Sequence, residues 1–281
     1  MKLKIAALVV TLVILAATYG IFFVYFSLTD KHTPKAENGF LDLAAWRFAD
    51  DGVVPLNGEW EFYPGKLLSH EDFISSAAQE TQDWIEVPGS WSKRMSTLGV
   101  ATYRLQVKIG DAASVYGLKT TSIQMSNRII VNGEIVGESG NPAEKRSFEA
   151  MNQPYAVYFT LKPGWNEIIV QVANYVFPAS SGINEPIYLG YAAQISELRD
   201  KALSHDWITV TAFLIMGLYF IGLYSQRRND KSLFVLGLVC LSFALFTSAR
   251  GERVINEVFD NLPFWLFLRI QLFTAVGGGI V

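Results

Sequence analysis

The chain has 281 residues, a formal net charge of −3, 51% hydrophobic residues and a mean hydropathy of +0.24. These values are too apolar for a wholly water-soluble enzyme and too polar for a bundle of membrane spans alone; one globular domain joined to a few spans fits them. Between residues 30 and 206 there are 22 Asp and Glu against 15 Lys and Arg, which argues against nucleic acid as a partner, because a phosphate backbone is met by a basic face.

The first predicted element is an apolar run over residues 5–26 without a charged side chain. A helix needs about 20 such residues to cross a bilayer. The run exceeds the about 7–15 apolar residues of a cleaved leader, and no A-x-A site follows, so residues 1–29 are expected to be an uncleaved anchor. Lys2 and Lys4 precede it, which predicts a cytoplasmic N-terminus.

Residues 30–204 read as a water-soluble globule. A polar linker with Pro34 and Gly39 leads into short apolar or alternating runs separated by turn signals, the pattern of an all-β sandwich or barrel. In residues 101–109, Tyr103, Leu105, Val107 and Ile109 alternate with Arg104, Gln106 and Lys108, which predicts a strand buried on one face. Asn132-Gly133 between β-branched runs predicts a tight type I′ hairpin. Pro163-Gly164 predicts a turn between strands over 155–161 and 167–173. Helix is expected over 69–79, with Glu71 and Asp72 in its first turn. The polar stretch 194–205 carries Ile195, Leu198 and Ala202 at helical spacing; it reads either as a coupling helix or as a plain linker.

Three further apolar runs follow, 208–224, 232–249 and 264–281. They predict a membrane domain over residues 205–281. Arg227, Arg228 and Lys231 in the first connector predict a cytoplasmic side for it, which agrees with the N-terminal lysines and places residues 30–204 outside the cytoplasm. The bilayer is therefore an expected partner. The last run is still apolar at Val281, so the chain reads as the front part of a longer membrane protein.

Several motifs occur in series: Leu56-Asn57-Gly58-Glu59-Trp60-Glu61-Phe62-Tyr63, Val87-Pro88-Gly89-Ser90-Trp91, Tyr103-Arg104, Val131-Asn132-Gly133 and Pro163-Gly164-Trp165-Asn166. The series resembles the galactose-binding-like jelly-roll domain that also serves as the sugar-binding domain of family 2 glycoside hydrolases. With Leu218-Tyr219-Phe220, Arg227-Arg228-Asn229-Asp230-Lys231 and the following apolar run, nearly the whole chain resembles bacterial seven-transmembrane receptors with diverse intracellular signalling modules. That resemblance implies an all-β jelly-roll sandwich flanked by transmembrane helices, and a bacterial cell-membrane location. It also implies a cytoplasmic histidine kinase, diguanylate cyclase or phosphatase module elsewhere in the protein. A sensor histidine kinase of a two-component system is the favoured output. The chain differs from the family in carrying three of its seven spans.

Catalysis is not expected within these residues. Glu59, Glu61, Glu138 and Glu144 are acidic, but no spacing marks a hydrolytic pair. Ser69-His70-Glu71 lacks the continuation of a phosphoacceptor box, and His70 reads as a surface histidine at a helix start. Three histidines and Cys240, the only cysteine, make no zinc pattern, and no glycine-rich phosphate loop is present; no metal or cofactor is expected. Binding of a carbohydrate or small molecule is better motivated, because sugar sites pair aromatic faces with a few polar side chains. Trp91 with Arg94 is the leading candidate site. Arg128, Arg146, Asn174 and Tyr175 are further candidates; the polar loops 139–147 and 174–184 either form a rim or are plain solvent loops, while Trp60 and Trp165 are expected in the core. Arg269, inside the final run, is either a functional membrane charge or a snorkelling one. A homodimer is compatible with the sequence. The leading reading is a signalling receptor; the alternative is a membrane-tethered carbohydrate-binding or envelope-interaction protein without a signalling role.

Overall fold

The structure, a computed structural model, describes residues 16–17, 19–20, 33–75, 82–110, 115–259 and 262–277, with side chains through residue 271. Residues 1–33 and 34–281 are separate compact units. In the first, residues 16–17 and 19–20 are helical; the rest of the expected anchor lies outside the described residues. Everything below concerns the second.

In chain order its strands begin with β1 (Phe40–Leu43), β2 (Val54–Pro55), β3 (Gly58–Pro64) and β4 (Asp83–Val87). There follow β5 (Gly99–Ile109), β6 (Val115–Lys119), β7 (Ile123–Gln124), β8 (Ser126–Val131) and β9 (Glu134–Ser139). The last are β10 (Ala156–Thr160), β11 (Gly164–Asn174), β12 (Gly182–Ile183) and β13 (Tyr188–Tyr191). The larger sheet has the order β4-β3-β5-β11-β8-β9, and the smaller β10-β6-β13-β2. β5 is long enough to take two partners along one edge, β3 beside Ala101–Arg104 and the parallel β1 beside Gln106–Ile109. β12 and β7 form a separate pair.

The alternation in β5 is realised as read: Tyr103, Leu105, Val107 and Ile109 are buried, while Arg104, Gln106 and Lys108 face outward. Trp60, Phe62, Ile168, Val170 and Val172 from the larger sheet join Tyr116, Leu118 and Leu189 from the smaller in one hydrophobic core. Among the described residues, thirteen strands around a shared core make this part of the chain, here called the β-domain, sheet-rich as expected. The Asn132-Gly133 turn has φ of 49° and 88°, the pair of positive values a type I′ hairpin requires, and joins β8 to β9. Pro163-Gly164, by contrast, does not close a hairpin: β10 pairs with β6, so this turn carries the chain from the smaller sheet to the larger.

Among the described residues of the β-domain the α-helices are α1 (Phe48–Asp51) and α2 (His70–Ile74). The helix expected over 69–79 is capped at Ser69 by the Asp72 carboxylate, which accepts from Ser69 N and Oγ at 2.8 Å; residues 76–81 lie outside the described part. β13 then runs without a linker into α3 (Ala192–Gln226), followed by α4 (Lys231–Ser248), α5 (Ile255–Val258) and α6 (Phe264–Gly277). At the start of α3, Gln194 Oε1 accepts from Tyr191 N at 3.0 Å while its Nε2 donates to Phe48 O at 2.6 Å, pinning the helix start to the β-domain. The coupling helix expected over 194–205 is therefore the first part of one continuous helix, unbroken across the 204/205 boundary drawn from sequence.

At 1.5 Å per residue, the 35 residues of α3 extend about 52 Å. Among the described residues, α3 and α4 are the two helices long and apolar enough to cross a membrane by length and composition, each with a mean hydropathy of 1.8 over its most apolar stretch, of which only 11% and 22% is buried. Ile215, Leu218 and Tyr219 are more than half exposed. The two helices approach at glycines: a Cβ on Gly217 would stand 2.7 Å from Leu241 Cδ2, and one on Gly237 would stand 2.7 Å from Ile221 Cγ1. Phe213 stacks on Phe243 at 5.6 Å, and Cys240 is buried nearby on α4.

Candidate functional site

The expected ligand tryptophan is a core residue. Trp91, in a 3-10 turn over Trp91–Lys93, has no exposed surface; it stacks on Tyr103 at 6.5 Å and its Nε1 donates to Ser96 O at 3.0 Å. An indole whose one polar atom is satisfied inside the protein plugs the end of a core well, so the reading of Trp91 as a ligand platform is corrected. Arg94 is paired with Asp83 at 3.4 Å between two half-exposed side chains, an arrangement worth little energetically.

Asn174 is likewise fully buried. Its Nδ2 lies 2.7–3.1 Å from the carbonyls of Phe177, Ser180 and Thr97, and its Oδ1 accepts from Phe177 N at 3.0 Å. It organises the following loop and has no donor or acceptor to spare for a ligand. The remaining rim residues fall into one neighbourhood. Arg128 Nε donates to Glu138 at 3.0 Å, and Asn141 Nδ2 donates to Ser147 O at 2.8 Å. The Tyr175 ring meets Phe148 edge-on at 5.2 Å, so the residue just past the 139–147 loop touches the 174–184 loop. Arg146 is exposed in the first of them. Arg269 is exposed on α6 with its guanidinium 5.1 Å over the Trp265 ring.

Trp60 is buried as expected, its Nε1 donating to Leu56 O at 3.0 Å, but Trp165 is not. It is 51% exposed, edge-on to the half-exposed Phe40 at 5.5 Å, with Lys108 Nζ 5.8 Å from its ring. The register explains this: Trp165 pairs with Lys108, on the outward set of β5, and the inward neighbour is Asn166. That parity was readable from Glu167 and Gln171, the polar residues two and six places further on.

Farther along the same outer face lies a charged network. Arg104 donates to Glu61 at 3.0 Å and Glu167 at 2.6 Å, Tyr63 OH donates to Glu61 at 2.8 Å, and His70 Nδ1 bonds Glu167. Burial opposes the Arg104 charge, but the two carboxylates outweigh it and raise its pKa; burial and the bond to Glu61 raise that of Tyr63. One guanidinium bridges two carboxylates across three strands, and the His70–Glu167 bond ties α2 to the sheet. Among the described residues no group of three or more His, Cys, Asp or Glu is placed to hold a metal ion.

The second feature is the junction between the β-domain and the apolar helices. Lys119, at the end of β6, pairs with Glu252 at 2.5 Å; the side chains are only 4% and 8% exposed. Glu252 N donates to Asp206 Oδ2 at 2.8 Å. Gly251, at φ +58, lies so close that a Cβ would stand 2.3 Å from the same Oδ2. On the other side Ile195 of α3 is fully buried against Gly117, whose missing Cβ would stand 3.1 Å from the Ile195 Cβ. The β-domain thus holds α3 at its start and the return loop (residues 250–259) between α4 and α6. None of Lys119, Asp206 or Glu252 was singled out from the sequence. Lys119 and Glu252 are 133 residues apart, and only a lone lysine closing an apolar strand hinted at a buried partner.

No family model and no curated protein matches this chain. Solved structures similar to part of it include a GH2 β-galacturonidase from Eisenbergiella tayi, at 19% identity over 49% of this chain and 24% of that one, TM-score 0.35. A β-glucuronidase from an uncultured Clostridium is similar at 17% identity over 49% and 28%, TM-score 0.35. A third, a β-glucuronidase from Faecalibacterium prausnitzii, is similar at 16% identity over 49% and 31%, TM-score 0.37. The chain thus spans under a third of those enzymes, and at these scores the likeness carries no argument about its activity.

Proposed function

We propose that this chain is the sensory and membrane-entry part of a bacterial transmembrane signalling receptor. The β-domain, a galactose-binding-like jelly-roll sandwich, senses a carbohydrate or small molecule outside the cytoplasm. No catalytic role is assigned to these residues. The output module, most simply a histidine kinase, lies elsewhere in the protein.

One observation carries this reading: the last strand of the β-domain continues into a 35-residue helix with no Gly or Pro before Gly217. A helix without a hinge passes displacement along its axis instead of absorbing it. A hydrocarbon core of about 30 Å takes about 20 residues of α3, leaving its polar first turns beside the β-domain. The basic connector over 227–231 then stands at the end of α3 far from the β-domain, while Glu252 returns to Lys119 on the near side. This placement supports the threading read from the basic flanks. A ligand acts by favouring one of two arrangements of the β-domain against α3 and the return loop, through its differential affinity for them.

The test is a thermal-shift screen of the full chain in micelles against sugars, glycan fragments and small metabolites, followed by amide exchange with each stabilising compound. The receptor reading expects changed protection in residues 195–207 and 250–258. A specific ligand that leaves both segments unchanged would instead favour a tethered binding protein.

A further inference from the structure

A cavity of about 270 Å³ lies where the β-domain, the return loop and α6 meet. Its walls carry hydrogen-bond donors on two sides: the segment from Thr121 to Gln124 on the β-domain, and Arg250 with Arg253 on the return loop.

Arg253 is the exception among the enclosed cations. Arg104 lies between Glu61 and Glu167, and Lys119 on Glu252. Arg253 has no carboxylate partner among the described residues; its guanidinium stands 4.3 Å over the Phe267 ring. Stacked in this way, a guanidinium keeps the N–H donors around its edge free for an acceptor in its plane. The backbone at Arg253 sits at φ +58, a conformation a bulky residue rarely adopts, and is closed by Arg253 N donating to Arg250 O at 2.9 Å. Burial lowers its pKa to about 10, with no acid beside it to offset the loss of water. Arg250, exposed, leans on Phe246 at 5.2 Å and also lacks a carboxylate among the described residues. Among the described residues Glu185 is the one carboxylate on the cavity wall and is exposed, so two guanidiniums outnumber it.

We infer that this cavity binds an anionic group, a carboxylate or a phosphate, held between the guanidiniums of Arg250 and Arg253 and the hydroxyls of Thr121 and Ser122. An anion seated there bridges the β-domain to the return loop and restores to Arg253 the charge partner that the other enclosed cations have. The inference needs only the cavity and stands apart from the receptor reading. Two sources supply this chemistry, a dissolved anion and a phospholipid headgroup.

The full chain in dodecyl maltoside micelles, which carry no phosphate, separates them by thermal unfolding. One arm adds inorganic phosphate or succinate against potassium chloride of equal ionic strength. The other dopes the micelles with phosphatidylglycerol. A dissolved anion gives a saturable rise of about 5 °C at a hundredfold excess over its dissociation constant in the first arm; a headgroup gives it in the second. In either case Arg253→Gln removes the rise, Arg253→Lys keeps part of it, and Glu185→Gln shifts half-saturation to about threefold lower concentration. Arg250→Gln, at an exposed position, weakens the response and serves if Arg253→Gln does not fold. The inference is overturned if neither arm exceeds the chloride control, or if the arginine variants respond like the unaltered chain.

Discussion

Replacing Lys119 by methionine isolates the contribution of the junction. The variant leaves Glu252 as an enclosed carboxylate with no cation, at a site where both side chains are under a tenth exposed. Removing one partner of a buried pair costs about 3–5 kcal/mol. At about 1.4 kcal/mol per decade this is two to three and a half orders of magnitude in the opening constant of the return loop. Amide exchange reads that constant directly at Glu252 N–H, which donates to Asp206 Oδ2 at 2.8 Å. Lys119→Met and Glu252→Met singly should each lose this protection. Together they should recover most of it, because two apolar side chains of similar volume need no partner. Unchanged exchange in the single variants would refute the reasoning, as would a double variant that loses the sum of the two.

Trp91→Ala should destabilise the β-domain by about 3–5 kcal/mol in denaturant titrations, and Trp91→Phe by much less, since the indole fills the core; a surface platform would cost under about 0.5 kcal/mol. Gly237→Val should part α3 from α4, because its branch enters the 3.1 Å space before Gly217 O. The check is oxidative cross-linking between Phe213→Cys and Phe243→Cys, which should fall sharply. The Asp72 carboxyl is held below its usual 3.8 by bonds from Ser69 N and Oγ. A depressed carboxyl stabilises above its unfolded pKa and loses that contribution as pH falls through the folded one, so α2 should loosen below pH 3.8. Exchange at Leu68 N–H, which donates to Thr102 Oγ1 at 2.9 Å, should show this, and Ser69→Ala should flatten the dependence.

Local rules were legible wherever one residue type met one geometric demand. The alternation of β5 and the Asn132-Gly133 turn are backbone-scale signals, and the structure realises both. What the tryptophans do was not legible from composition, because burial depends on strand parity and on which loop closes the core. Trp91 follows a turn that leads it inward, and Trp165 pairs with an outward lysine. Asn174 and Arg128 looked alike as candidate ligand residues. Asn174 is consumed by its own loop, whereas Arg128 stays at the surface with Glu138. The junction was invisible for a different reason. Lys119 and Glu252 meet only after the chain has run out along α3 and back along α4, a separation no local pattern reports.

The central claim is that the β-domain and the 227–231 connector lie on opposite sides of a membrane. Cysteine labelling of intact cells tests it most directly, in a Cys240→Ser background with Ser147→Cys in an exposed β-domain loop or Asn229→Cys in the exposed connector. A membrane-impermeant maleimide should label the cysteine at 147 at once and the one at 229 only after permeabilisation. Equal labelling of both, or labelling of 229 alone, would contradict the account.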